Sequence, residues 1–397
     1  MKMRAAVLDR MQQPLPYARS KPVSVETLEL GEPRAGEVLV RITAAGLCHS
    51  DLSIINGDRP RPMPMVLGHE AAGVVEACGP GVTDLVRGDA VALVFVPSCG
   101  HCLPCQEGRP ALCEPGAAAN GAGTLVGGHR VLARPDGQVL NHQVGVSCFA
   151  EYAVVNRGSL VKVANDLPAE VAAVFGCAVL TGVGAALNSA QVRLGQTVAV
   201  VGLGGVGLAA LLGALAAGAR EVVAVDVLPE KLELALALGA TRAFRADDPD
   251  IVAQLKAAVP GGVDVAIEAA SAVPALDLAW KLTRRGGTTV TCSLPNPAHQ
   301  LQVPVVQLTA EERTLKGSYL GSAVPVRDIP RYIALYQAGR LPVDRLITHR
   351  LSLDEINEGF DRLAAGQAVR QVIVFQGAGV RLLPEPTAAV SRAASGT

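Results

Sequence analysis

Residues Leu194 to Ala219 read LGQTVAVVGLGGVGLAALLGALAAGA, 26 residues without a charge. That is long enough to span a bilayer. A glycine-rich turn breaks the pattern, however: TVAVVG is β-branched and strand-like, whereas the alanines and leucines after Val206 suit a helix. A buried strand running into a buried helix accounts for the same letters without a membrane.

Downstream the alternation continues. Strand-like EVVAVD, TRAFRA, VDVAIEAA and GGTTVTC are separated by helix-like runs at Gly205 to Ala217, Pro229 to Leu238, Pro249 to Val259 and Val273 to Arg284. Strand, helix and strand at this spacing predict a doubly wound parallel sheet, covered on both faces, and so an α/β fold. Pro229 suits a first helical turn, and Gly239 suits a left-handed cap after EKLELALALG.

The turn itself, Gly202-Leu203-Gly204-Gly205-Val206-Gly207, carries G-x-G-x-x-G, a weak signal alone in a chain with 42 glycines. The strand before it and the helix after it give the pattern meaning. Gly202 permits the tight turn, Gly204 lets the backbone approach a pyrophosphate, and Gly207 lets helix and strand pack closely. The helix N-terminus then offers free amides to the phosphates. Nineteen residues past Gly207, EVVAV ends in Asp226. A carboxylate there accepts hydrogen bonds from ribose hydroxyls and repels a 2′-phosphate, which favours NAD over NADP. A mere packing turn followed by a solvent-facing Asp is the competing reading.

Upstream, short runs such as EVLVRITAAG, AAGVVEACGPG and DAVALVFVP, punctuated by Gly and Pro, predict an irregular β domain over roughly the first 180 residues. After the alternating region come helix-like Arg327 to Gln337 and Leu353 to Leu363, then RQVIVF, a strand expected to return to an earlier sheet. The closing QGAGVRLLPEPTAAVSRAASGT has no periodicity and predicts a mobile tail. The expected layout is a discontinuous domain of 1–180 and 321–375, a dinucleotide-binding domain of 181–320, and a tail of 376–397.

At 397 residues, half of them hydrophobic, the chain has material for two or three domains with large cores. A net charge of -1 without blocks of like charge leaves no footprint for nucleic acid or an anionic membrane. A small-molecule partner is expected. The charged N-terminus MKMRAAVLDRMQQPLPYARS lacks a secretory apolar core, which predicts a cytoplasmic, reducing location.

Four of nine cysteines, Cys99, Cys102, Cys105 and Cys113, fall in SCGHCLPCQEGRPALC. In a reducing compartment such a cluster reads as metal ligands before disulfides. Four thiolates make the closed tetrahedral shell of a structural zinc, with an iron–sulfur cluster as the competing metal. His101 is then a bystander. A closed shell leaves no vacancy for substrate, so chemistry must lie elsewhere. Cys48 in GLCHSD, His69 in LGHE and Cys177 in FGCAV are candidates for an open site, although spacing alone does not link them.

Taken together, GLCHSD, then Gly68-His69-Glu70-Ala71-Ala72-Gly73, then the four-cysteine loop, then FGC and GLGGVG, resemble the zinc-dependent medium-chain alcohol dehydrogenases. The resemblance runs from Met3 to about Phe375. It implies a GroES-like catalytic domain beside a Rossmann domain, NAD, and two zinc ions per chain. It makes Cys48, His69 and Cys177 ligands of the catalytic zinc, and the four clustered cysteines ligands of the structural one. Asp51 becomes the partner of the zinc histidine, Glu70 a carboxylate behind the metal, and Ser50 the hydroxyl that takes the alcohol proton. His49 and Arg370 align with pyrophosphate contacts, Thr181 and Val206 with nicotinamide contacts, and Lys231 with the adenosine ribose. Phe95 and Tyr319 align with the substrate channel.

Two details depart from the pattern or refine it. Ser53 stands where well-studied members carry a histidine that completes the proton relay, and serine has no pKa near neutrality. The longer loop from Glu114 to Val146 is typical of dimeric members, so a homodimer is expected. The implied activity is reversible hydride transfer between an alcohol and NAD. A thiol-adduct formaldehyde dehydrogenase shares every motif, and a non-catalytic nucleotide- or zinc-binding protein is the rival of another class.

Overall fold

Three β-sheets order the chain in the computed structural model, which describes residues 1–375 and 381–383. The first is a small closed barrel built from Lys2–Leu8, Val23–Leu30, Leu132–Ala133, Val139–His142 and Met65–Val66. The second is a mostly antiparallel sheet in which Glu37–Leu47 pairs with Ala71–Cys78 on one side and with Arg370–Val374 on the other. The predicted return of RQVIVF to an earlier sheet is thus found, with Gln371 opposite Leu47.

The third sheet is wholly parallel. Its strands are Thr197–Val201, Glu221–Asp226, Arg242–Arg245, Val263–Glu268, Thr283–Thr291 and Thr314–Gly317, lying side by side in the order 3-2-1-4-5-6. The helices Gly205–Ala216, Pro229–Ala237, Ile251–Ala258 and Val273–Leu282 cross between them, close to the expected boundaries. Burial on both faces explains the apolar runs: every residue of Thr197–Val201 is buried. The strand order reverses between Thr197–Val201 and Val263–Glu268, and the carboxyl ends of this pair open a crevice. The sixth strand, TLKG, went unrecognised because all four of its residues are exposed and it carries no apolar signal.

The helix Ala178–Gly184 packs against Gly205–Ala216 so closely that a Cβ on Gly182 would strike the Val206 carbonyl. A boundary at 180/181 falls inside this helix. Most of the expected mobile tail lies outside the described residues. Within Arg381 to Leu383 the Arg381 carbonyl accepts from the Ala169 N–H at 2.9 Å, and the Leu383 N–H donates to Glu170 Oε2 at 3.0 Å. Glu170 is buried, and its other oxygen accepts from Arg350 at 2.8 Å, so both carboxylate oxygens are satisfied. Among the described residues no helix is long and apolar enough to cross a membrane.

His142, on the last strand of the barrel, gives the fold an acid sensitivity. Its Nε2 accepts from the Val131 N–H at 3.2 Å, so a proton there would face another donor. Burial, with the charges of His129 and Arg130, pulls the imidazole down to about 3. Above pH 6.5 the imidazole is neutral folded or unfolded. As pH falls below that, only the unfolded chain takes the proton, so stability is lost progressively toward pH 3. At pH 5 the loss is about 2 kcal/mol. Denaturant titrations at pH 7 and 5 are expected to show His142→Gln losing less stability than the wild type by that amount; equal losses would refute it.

Candidate active site and metal centres

The three scattered ligand candidates converge through strand register. Cys48 follows Glu37–Leu47, and His69 precedes Ala71–Cys78, with Ala45 opposite Ala71. Ala71 in turn lies opposite Leu93, and Gly176 sits where any Cβ would strike the Leu93 carbonyl. That contact delivers Cys177, at the start of Ala178–Gly184, to the same point. The Sγ atoms of Cys48 and Cys177 and a ring nitrogen of His69 all lie within 4.8 Å of one another, and all three residues are buried.

Asp51 organises two of the three. Its Oδ1 receives His69 Nδ1 at 2.8 Å, and its Oδ2 accepts the Cys48 N–H at 3.0 Å. His69 Nε2 is left buried with no hydrogen-bond partner. The two thiols act on one another, the proximity of Cys177 lowering Cys48 and that of Cys48 raising Cys177. A bare imidazole nitrogen between two thiols, its other nitrogen fixed by a carboxylate, fits a divalent metal with an open fourth position. Glu70 lies behind this group, fully buried, with Oε2 3.2 Å from the Ala178 N–H and 3.7 Å from Arg370 Nη1. Burial lifts its carboxyl to about 7 against the pull of Arg370.

Gln143 was missed by the sequence reading. Its Nε2 donates to Asp51 Oδ1 at 2.7 Å, while its Oε1 accepts the N–H of Gly68, the residue before His69. One amide thus ties the carboxylate to the backbone that presents the histidine. A lone polar residue in a loop has no periodicity to reveal it.

The second group is Cys99, Cys102, Cys105 and Cys113, whose Sγ atoms also lie within 4.8 Å of one another. All four are free thiols. A tetrahedral zinc with Zn–S of about 2.3 Å needs sulfurs about 3.8 Å apart, which this cluster accommodates. Backbone N–H groups of Cys99, Cys102 and Gly116 point at its sulfurs at 3.2 to 3.4 Å, as anionic sulfur requires. His101 is exposed and outside the group.

A cleft of about 300 Å³ joins the Cys48–Cys177 group to the crevice of the parallel sheet. Gly202 has φ 91° and leaves no room for a Cβ beside Ala270, and a Cβ on Gly207 would strike the Gly202 carbonyl. A Cβ on Gly204 would meet nothing within 4 Å, the open space a phosphate needs. Arg370 crowds Gly205 at the head of the helix Gly205–Ala216 and donates to the Leu47 carbonyl at 3.0 Å. Asp226 is held at the crevice edge by the N–H groups of Leu203 and Leu228, at 2.6 and 3.0 Å. Lys231, Thr181 and Val206 line the same space, as does His49, whose imidazole is lowered by burial, then by Lys231 and Arg370.

At the other end, Phe95 stands edge-on to His69, ring centroids 5.4 Å apart, and Tyr319 follows at 6.0 Å. Ser50 and Ser53 line the cleft too. The Ser53 hydroxyl donates to the His49 carbonyl at 2.8 Å, a bond within its own helical turn. Glu268, also missed from sequence, braces the crevice: it accepts from the Ala270 and Ser271 N–H groups and from the Thr291 and Ser293 hydroxyls at 2.6 to 2.9 Å. A separate hollow around Lys2, Glu32, Arg34 and Arg130 holds none of these groups.

Residues 34–165 match the family described as alcohol dehydrogenase GroES-like domain, and residues 205–338 match zinc-binding dehydrogenase. An NDMA-dependent alcohol dehydrogenase of Amycolatopsis methanolica is 41% identical over 94% of this chain and 99% of its own. Among solved structures, an alcohol dehydrogenase zinc-binding domain protein from Burkholderia ambifaria superposes with a TM-score of 0.89 at 35% identity, covering 95% of this chain and all of its own. Benzyl alcohol dehydrogenase from Acinetobacter calcoaceticus gives a TM-score of 0.88 at 33% identity, covering 95% of this chain and 100% of its own.

Proposed function

This chain belongs to the zinc-dependent medium-chain alcohol dehydrogenase family, and from that premise we propose that it oxidises alcohols to aldehydes or ketones, reversibly, with NAD. The observation that carries the reading is the bare His69 Nε2 between the Cys48 and Cys177 thiols, opening on a cleft that ends at Gly204 and Asp226. Cys48, His69 and Cys177 would hold one zinc, and Cys99, Cys102, Cys105 and Cys113 a second. What zinc supplies when bound is Lewis acidity toward the substrate oxygen, and what NAD supplies is a hydride acceptor.

The protein's own groups do the rest. Asp51 fixes the tautomer and ring plane of His69, and Gln143 fixes Asp51. Ser50 takes the alcohol proton at its hydroxyl oxygen. Ser53, bonded to the His49 carbonyl, offers no basic nitrogen to carry that proton onward, so its exit runs through solvent at the cleft. Gly202, Gly204 and Gly207 let the backbone receive the pyrophosphate, and Arg370 and His49 meet its charge. Asp226 and Lys231 take the adenosine ribose, and Asp226 disfavours a 2′-phosphate. Thr181 and Val206 flank the nicotinamide, and Phe95 with Tyr319 walls off the substrate.

The test is a panel of alcohols and aldehydes assayed with NAD and with NADP, with and without glutathione. NDMA is added as a further arm because a 41% identical relative is named for its dependence on it. NADH formation from simple alcohols without a thiol is expected. Turnover only of a thiol adduct would favour the formaldehyde dehydrogenase reading, and no turnover with metal bound would favour a non-catalytic role.

A cytoplasmic homodimer completes the reading. The edge strand Thr314–Gly317 is exposed throughout, its Leu315 included, and Val305, Val306 and Leu308 of the helix Val305–Ala310 that precedes it in sequence expose further apolar surface. An open strand edge with apolar flanks invites a second copy. Light scattering is expected to give twice the 40.8 kDa chain mass, and a monomer would overturn the assignment.

A further inference from the structure

The cationic groups around the cleft fall into two sets. His49, Lys231 and Arg370 face the crevice where the dinucleotide phosphates and ribose are expected. Arg59 lies with the other end: it lines the cleft together with Ser53, Phe95 and Tyr319. Arg61, two residues on, is half-buried beside it. The Tyr319 hydroxyl senses the charge of both arginines, and each arginine lies within reach of the other.

Neither guanidinium has a carboxylate or carbonyl partner among the described residues. The one neighbouring acid in the segment, Asp58, turns to the Asn56 side chain at 2.8 Å. Among the described residues the only acid lining the cleft is Asp226, at the ribose end. The segment is not free to swing the arginines out, because the Arg59 N–H donates to the Ser53 carbonyl at 2.8 Å and the Pro64 carbonyl accepts from the Asn141 N–H at 2.9 Å. Two like charges held together and partly desolvated without a counter-ion cost free energy, and an oxyanion between them offsets that cost. Guanidinium groups present paired donors that suit a carboxylate or phosphate.

We propose that Arg59 and Arg61 form an anion subsite at the outer end of the substrate channel, so that the substrates are alcohols or aldehydes bearing a carboxylate or phosphate remote from the reacting carbon. This rests on the alcohol dehydrogenase reading for the reacting end alone. The neutral channel wall of Phe95 and Tyr319 then spans the apolar middle of the substrate.

The test uses the zinc-loaded enzyme with NAD. ω-Hydroxyalkanoates and ω-hydroxyalkyl phosphates of butyl to decyl length are compared with n-alkanols of equal length, by turnover and by calorimetric binding. At the best length kcat/KM and affinity are expected to favour an acid over its alkanol by about ten- to a hundredfold, the value of a charge-assisted hydrogen-bonded contact. Which acid wins tells carboxylate from phosphate. In the Arg59→Gln, Arg61→Gln double variant, checked for folding by its thermal midpoint, the acid-to-alkanol ratio is expected to fall toward one. The double change to Glu is expected to shift preference to ω-amino alcohols. An acid no better than its alkanol at any length, or a preference that survives the double variant, would overturn the subsite. Oxidation of alkanols without any acid preference removes the subsite and leaves the dehydrogenase. Tight acid binding, lost in the double variant, without oxidation of any alcohol keeps the subsite and removes the dehydrogenase.

Discussion

Cys177→Ala is expected to abolish alcohol oxidation while leaving NAD binding intact. The thiol is one of three donors within 4.8 Å, and its loss leaves Cys48 and His69 to hold a metal alone. Polarisation of the substrate oxygen contributes several kcal/mol, so turnover should fall by about a thousandfold or more. The contacts proposed for the cofactor lie elsewhere, at Gly204, Asp226 and Arg370, whose own hydrogen bonds and backbone geometry do not involve Cys177. Zinc per chain should fall by one, read by elemental analysis, and NADH titration should be nearly unchanged. Little stability should be lost, because the residue sits at a helix start and alanine fills most of its volume. Retained turnover with one zinc missing would place the chemistry at another site.

How far this was legible in sequence differs by region, and the reason is the range of the contacts. The parallel sheet could be read because its central strands, Thr197–Val201, Glu221–Asp226 and Val263–Glu268, are largely buried and each crossing helix is local, with Pro229 opening one and Gly239, at φ 111°, following its end. The cysteine cluster could be read because its four donors fall within one loop. Cys48, His69 and Cys177 could not be joined by spacing, since their meeting depends on the register of Ala45 with Ala71 and of Ala71 with Leu93. Only the family resemblance connected them. Gln143 and Glu268 act as polar braces in loops and at a strand end, where hydrophobic periodicity is silent. Arg59 and Arg61 look like ordinary surface arginines until the fold sets them beside Tyr319. The same long-range packing that makes the site possible therefore hides it from a local reading.

Cys105→Ser is expected to act on stability first and on catalysis second. The lobe around the four thiols has little else to hold it. Its helices are short, Leu103–Gln106 and Glu114–Ala122, and Leu103–Gln106 buries none of its residues. Ala111, Cys113 and Ala119 supply most of its buried apolar surface. Isolated helices of this length are marginal in water. A structural zinc, by contrast, contributes about 10 kcal/mol or more to small domains that fold around it. Only part of that would appear in the whole protein, because the neighbouring sheets remain packed and three thiols still bind weakly. A loss of about 3 kcal/mol lowers the unfolding midpoint of a domain this size by on the order of 10 °C. The substrate cleft contains none of the four cysteines, so kcat per folded molecule should change only severalfold at low temperature. Calorimetry in reducing buffer, paired with elemental analysis, separates the outcomes. One zinc fewer with a lowered midpoint and near-normal kcat identifies a clamp. An unchanged midpoint and full metal content would mean that the lobe is held by its own packing, and iron in place of zinc would replace the clamp with a cluster. A collapse of kcat equal to that of Cys177→Ala, at unchanged stability, would make the loop part of the active site, against the separation that the fold displays.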